Sequence, residues 1–227
     1  MYISPLEHLA TLLTHEPCVI CGTGVHPLCR PCFSMLSEDQ DSRCYICNKL
    51  TKQNRVCPSC TSRLRRVWWA GLYAPPLKDM IAAIKLGRNR TVARRLGGLL
   101  PDLLPHIDRA TVIVPIPTAA SRIRRRGFDQ AVIMARHLAH ERDLTYAPLL
   151  VRTSNVDQIG KRRSERIQQM KNSFVVSPQY DQFKSRPVLL VDDVLTTGAT
   201  LESAAAAMRS VGVSHVDGVV VARHVLK

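Results

Sequence analysis

Four apolar residues run into two adjacent carboxylates and then into a loop of small residues in the stretch Val188–Thr200, VLLVDDVLTTGAT. A carboxylate pair at the end of a buried strand is costly unless it is solvated, hydrogen-bonded or turned toward a cation or hydroxyl groups. Asp192 and Asp193 suit the hydroxyls of a ribose or the waters around a magnesium ion. Gly198 permits a tight loop, and Thr196, Thr197 and Thr200 offer hydroxyls. The backbone N–H groups of Thr197, Gly198, Ala199 and Thr200 can point inward where the next helix starts, an anion cradle fitted to a phosphate. The local chemistry is that of a sugar phosphate site. It is not a Walker A loop, because the Gly-Lys-Ser/Thr ending is missing.

A second set of reactive side chains stands far upstream. All eight cysteines fall between Cys18 and Cys60, in four CxxC knuckles: Cys18 and Cys21, Cys29 and Cys32, Cys44 and Cys47, Cys57 and Cys60. One knuckle presents two thiolates to one metal ion, and two knuckles complete a tetrahedral zinc site. A disulfide framework belongs to exported domains, and nothing here signals export. A redox CxxC needs only one pair beside a βαβ pattern. Sequential pairing of the knuckles is expected over an interleaved, cross-braced arrangement, because the loops within each half are short and polar. His15 and His26 could substitute as ligands, yet four cysteines per site leave no vacancy. A closed thiolate shell makes the metal structural rather than catalytic.

The remaining sequence has to position these groups. RRVWWAGLYA reads as a strand, and PPLKDMIAAIKLG as a helix with proline at its start and glycine at its end. TVARRLGGLLPDLLPHID reads as another helix, TVIVPIP as a strand and FDQAVIMARHLAHERD as a helix. RPVLLVDDV is a buried strand, GATLESAAAAMRSVG a helix and VSHVDGVVVARHV a final strand. Strands alternating with helices predict an α/β fold with a parallel sheet covered on both faces. Two regions are expected: residues 1–62, an N-terminal helix and cysteine-rich zinc-binding module, and residues 63–227, the α/β domain. Leu6, Leu9, Leu12 and Leu13 give the first region its short amphipathic helix.

The formal net charge is +14 over 227 residues. Such an excess of Lys and Arg argues for a polyanionic partner, nucleic acid above all, or for phosphorylated ligands. The basic residues cluster at Arg63–Arg66, Arg88–Arg95, Arg122–Arg126 and Lys161–Arg166. Each cluster alone reads as a solvated face; together they raise a nucleic-acid surface. Trp68 and Trp69 adjoin the first cluster, and strand alternation sends neighbours to opposite faces. Trp68 is expected outward, where it could stack a base, and Trp69 inward. No stretch reaches the run of about 18 apolar residues that a membrane span needs. The first residues carry no secretory signal, so a cytoplasmic location is expected.

VLLVDDVLTTGAT resembles, at every position, the 5-phosphoribosyl-1-diphosphate (PRPP) motif of type I phosphoribosyltransferases. In that family the acid pair holds the ribose 2′- and 3′-hydroxyls and the small-residue loop wraps the 5′-phosphate. The strand ending in Pro115, Ile116, Pro117 and Thr118 is similar to the place that receives the diphosphate, and Arg122, Arg124, Arg125 and Arg126 can neutralise such an anion.

The chain as a whole resembles the ComF/GntX-type proteins, late competence proteins of DNA uptake. They join a cysteine-rich zinc module to a type I phosphoribosyltransferase-like domain. The likeness runs through the knuckles, YAPPLKDMIAAIK with Lys85, RRRGFDQA, the segment from Arg152 to Phe174 and the PRPP motif. Asp129 stands where that family usually has Asn, Asn155 where it has Thr, and Gln169 where it has Asn. The resemblance implies PRPP with magnesium, structural zinc and single-stranded DNA as ligands, with helicase or recombination proteins of DNA uptake as partners. Arg122, Arg124, Arg125, Arg126, Lys161, Arg162, Arg163, Arg166 and Trp68 are the expected nucleic-acid contacts. A true phosphoribosyltransferase acting on an unidentified acceptor is the alternative, and a zinc-mediated docking protein a third class.

Overall fold

Alternation within short apolar runs builds the centre of this molecule. The computed structural model describes residues 17–18, 20–23, 29–37, 42–86, 89–153 and 173–224. The expected N-terminal helix, His15, His26, and Lys161, Arg162, Arg163 and Arg166 lie outside the described residues. In chain order the elements begin with α1 (Arg30–Ser37), β1 (Val67–Leu72), α2 (Leu77–Lys85), α3 (Arg90–Gly97) and α4 (Leu100–Leu103). Then come β2 (Val112–Pro115), α5 (Ala120–Arg126), α6 (Gln130–Glu141), β3 (Thr145–Tyr146), β4 (Leu150–Arg152) and β5 (Phe174–Val176). A 3₁₀ turn at Pro178–Phe183 leads into β6 (Val188–Leu195), α7 (Ala199–Ser210) and β7 (Val216–Arg223).

Five strands form one parallel sheet in the order β1-β7-β6-β2-β3. Successive residues of a strand face opposite sides. Ile113, Leu189, Val191, Val219 and Val221 therefore bury against α2, α3 and α6 on one face. Val112, Val114, Val188, Leu190 and Val220 bury against α7 on the other. This is the type I phosphoribosyltransferase architecture expected from the sequence. β4 and β5 stand apart as an antiparallel pair.

The segment TVARRLGGLLPDLLPHID, expected as one helix, is divided into α3 and α4. A Cβ on Gly97 would lie 3.0 Å from Met134 Cα, so this glycine lets α3 approach α6 closely.

The cysteine-rich segment packs on both faces of the edge strand β1. Cys18 and Cys32 join the core that contains Trp68, and Tyr45 joins the one that contains Trp69. Trp68 and Trp69 are each only 5% exposed. The expectation of an outward Trp68 is thus corrected. Alternation does send the two rings to opposite faces, but the cysteine-rich segment covers the face left open in a bare sheet edge. Trp68, beneath the Arg66 guanidinium at 6.0 Å, has no free face for a base.

Candidate functional site

Ligands of open parallel sheets sit beyond the carboxyl ends of the strands, where loops turn into helices. Here β6 carries the acid pair in its second half, ends at Leu195 and passes through Thr196–Gly198 into α7, while β2 ends in Pro115 and passes through Ile116–Ala119 into α5. Between the two loops lies a cavity of about 270 Å³. Asp192, Asp193, Thr196, Thr200, Ile116, Pro117, Thr118, Arg122 and Arg126 all line it. Pro115, Thr197, Gly198 and Ala199 belong to the same two loops without lining the cavity. Arg124 and Arg125 are exposed and lie outside it.

The two carboxylates are held differently. Asp193 is buried, its Oδ2 2.9 Å from Lys85 Nζ and accepting from Gln130 Nε2 at 3.2 Å. Asp192 is half-buried and its Oδ1 accepts from the Asp193 N–H at 2.8 Å. Desolvation, and after it the neighbouring Asp193, push the Asp192 carboxyl well above the usual carboxylate range. A group that resists ionisation is one whose charge a ligand has to stabilise.

A basic group faces this pair from α5. Arg126 is 5% exposed, and its Nη1 donates to Gln130 Oε1 at 2.6 Å. Its Nε has no partner among the described residues. Burial lowers the guanidinium pKa, against the attraction of Asp193, yet an arginine stays charged in proteins. Buried donors are normally satisfied. A buried cation with an unused donor at a cavity wall is matched to an anion.

Asp129 organises the opposite loop. Its side chain caps α6 by accepting from Ala131 N at 3.0 Å. It also accepts from Thr118 N at 2.9 Å and Thr118 Oγ1 at 3.0 Å, tying the loop after β2 to the start of α6. A carboxylate, with two acceptor oxygens, can take all three bonds. Arg152 of β4 braces the same loop through Nε to Pro117 O at 3.0 Å and stacks over Phe174 at 4.8 Å.

Tyr73, Lys85, Gln130 and Arg152 are cavity residues that sequence reasoning did not assign. All four stood inside stretches already singled out, so their signal was present without a role in the cavity attached.

The cysteines form two separate groups, Cys18, Cys21, Cys29 and Cys32, and Cys44, Cys47, Cys57 and Cys60. This is the sequential pairing the loop lengths predict. Within each group the sulfurs lie within 4.8 Å of one another. A tetrahedron with zinc–sulfur bonds of about 2.3 Å has edges of about 3.8 Å. The Cys21–Cys29 sulfurs are 3.8 Å apart and the Cys47–Cys57 sulfurs 3.4 Å. The donor set and its spacing fit zinc.

Residues 110–225 match the model of the phosphoribosyl transferase domain. Competence protein F of Haemophilus influenzae is 27% identical over 214 residues, covering 83% of this chain and 93% of that protein. Competence protein ComFC of Bacillus subtilis is 26% identical over 197 residues, covering 85% and 71%. The DNA utilization protein YhgH of Escherichia coli is 26% identical over 200 residues, covering 77% and 87%. With the acid pair, the small-residue loop and the paired four-cysteine groups all in place, the chain belongs to the phosphoribosyl transferase domain family, in its ComF branch.

Proposed function

We propose that this protein binds PRPP with magnesium in the cavity between the β2 and β6 loops and acts on incoming single-stranded DNA in the cytoplasm during competence. The observation that carries the ligand is one constellation. An acid pair, a helix start with hydroxylated residues, and the buried Arg126 with its unused Nε all meet at one cavity. Asp192 and Asp193 hold the ribose hydroxyls, and Thr196–Thr200 take the 5′-phosphate at the start of α7. The Pro115–Thr118 loop, with Arg122 at the rim and Arg126 behind it, takes the diphosphate. Magnesium, when bound, neutralises the diphosphate oxygens; this chain's own residues orient the sugar and hold the anion in place. Zinc in the two thiol groups is structural.

A calorimetric titration of PRPP–magnesium into the zinc-loaded protein tests this, with Asp192→Asn/Asp193→Asn as control. Saturable binding that the double variant loses is the expected result. A folded wild type that takes up no PRPP overturns it. Assay of diphosphate release in the presence of nitrogen acceptors then separates binding from transfer.

The DNA role is supported by the net charge of +14 and by relatives named for competence and for DNA utilization. Arg124 and Arg125 are exposed on α5 and stay outside the cavity, which leaves them free to meet a phosphate backbone. Arg124→Glu/Arg125→Glu is expected to weaken single-stranded DNA binding severalfold and to leave PRPP affinity unchanged. For each phosphate no longer neutralised, the slope of log affinity against log salt should become shallower by about 0.7. An anisotropy titration at several salt concentrations reads both. An unchanged slope would move the DNA surface to another arginine cluster.

A further inference from the structure

The second four-cysteine group is wired to the phosphate loop; among the described residues the first is not. Tyr45 lies inside the knuckle between Cys44 and Cys47 and is 6% exposed. Its ring occupies the space beside Gly198, where a Cβ would come within 2.8 Å of Tyr45 Cε2. Gly198 is the residue at which the loop turns into α7, with a φ of +78°. The absence of a side chain there is needed for the backbone angle and again for the aromatic ring above it.

The same tyrosine reaches the first turn of α7. Its hydroxyl donates to Glu202 Oε1, as does Ser62 Oγ, and the Arg63 N–H donates to both Glu202 oxygens at 3.3 and 3.2 Å. From the other side, the buried Arg223 at the end of β7 donates to Tyr45 O at 3.0 Å, to Cys44 O at 3.5 Å and to Asn48 Oδ1 at 2.9 Å. Arg223 pairs in register with Leu195, the last residue of β6, and stacks over Trp69 at 4.6 Å. The knuckle is therefore fixed to β7, the strand paired with the one that enters the phosphate loop, and to the helix that leaves it. The first group contributes Cys18 and Cys32 to the core on the opposite face.

We propose that Tyr45 is a positioning residue for the phosphate loop, and that through it metal occupancy of Cys44, Cys47, Cys57 and Cys60 is linked to anion binding at Thr196–Thr200. This rests on the reading of the cavity as a PRPP site. Tyr45 touches no ligand; it sets the place of Gly198 and of the N–H groups that follow. A knuckle without its metal keeps the hydrogen bonds of Arg223 and of its own turn but loses the tie between Cys44 and Cys47 and the second knuckle, so the ring is held less firmly in its seat. Linkage is reciprocal: whatever the metal adds to ligand affinity, the ligand adds to metal affinity. The first group, on the other face, stays outside this coupling.

The test uses full-length, zinc-loaded protein and PRPP–magnesium as the probe. Calorimetry compares wild type, Tyr45→Phe and Tyr45→Ala, and a chromogenic chelator follows zinc release from wild type with and without saturating PRPP. Tyr45→Ala is expected to bind about tenfold more weakly or worse. Tyr45→Phe, which keeps the ring over Gly198 and loses the Glu202 bond, falls between. PRPP is expected to slow the release of one of two zinc ions severalfold and leave the other unchanged. Equal protection of both ions would mean global stabilisation and would overturn the linkage. Wild-type affinity in Tyr45→Ala with ligand-independent zinc release would overturn it as well. A wild type that does not bind PRPP removes the parent reading and this one together. The release experiment needs no variant, so poor folding of Tyr45→Ala leaves the outcome decidable.

Discussion

Arg126→Ala is expected to weaken PRPP–magnesium binding by about a hundredfold in a calorimetric titration. Truncating one partner of a buried charge-assisted pair costs about 2–5 kcal/mol, and a factor of ten is about 1.4 kcal/mol. Arg126 meets the conditions for such an effect. It is buried, it lines the cavity, and one of its donors is unused while another fixes Gln130, which in turn donates to Asp193. Alanine removes the counter-charge and loosens the side chain that orients the acid. Arg126→Lys should recover little, since an ammonium cannot reproduce the planar fork. Arg124→Ala, two positions away on the exposed side of α5, should bind within about twofold of wild type. Wild-type affinity in Arg126→Ala would mean that the diphosphate is held by other cations, Arg122 first among them.

Asp192→Asn should separate stability from binding. Its carboxyl is raised above the usual range, so the folded protein binds a proton that the unfolded chain has released. As pH rises from the ordinary carboxylate range to the elevated folded value, the wild type loses stability, and above that value the whole penalty is present. Asparagine removes the penalty. The variant is expected to melt higher than wild type at neutral pH, with the difference vanishing as pH falls into the carboxylate range. It should bind PRPP–magnesium at least tenfold more weakly, because a ribose hydroxyl loses a charged acceptor. For wild type, affinity should strengthen as pH rises through the Asp192 pKa. Thermal melts and titrations across a pH series read both effects. A variant that melts lower at neutral pH would show that the carboxylate stabilises the fold.

The architecture was legible because its signals are local. The run VLLVDDVL is apolar enough to be a central strand, and the threonines and glycine after it mark where the strand must stop. Knuckle spacing likewise led to the two thiol groups, since each pair lies close in sequence. What escaped was set by contacts distant in sequence. Lys85, Gln130 and Asp193 come from three elements and meet only after α2, β6 and α6 have packed. Trp68 was misjudged because alternation tells which face a residue occupies and says nothing of what covers that face. The support of Gly198 by Tyr45 spans most of the chain, and neither residue carries a pattern that points to the other. The acid-and-threonine loop was visible, and what holds it in shape was not.

The position of β7 has a consequence for synthesis on the ribosome. β7 follows every other strand in sequence, yet it lies between β1 and β6, pairing Val67 with Gly218 and Val188 with Val216. The sheet cannot be assembled in the order in which it is translated, and long-range pairing of this kind is slow. Each thiol group, by contrast, is complete within a short stretch of nascent chain. Metal can enter both before β1 has anything to pair with, so the knuckles wait as finished pieces for their strand to arrive. A chain made under zinc starvation would carry eight bare thiols through that whole interval, and its losses would fall during translation rather than after folding.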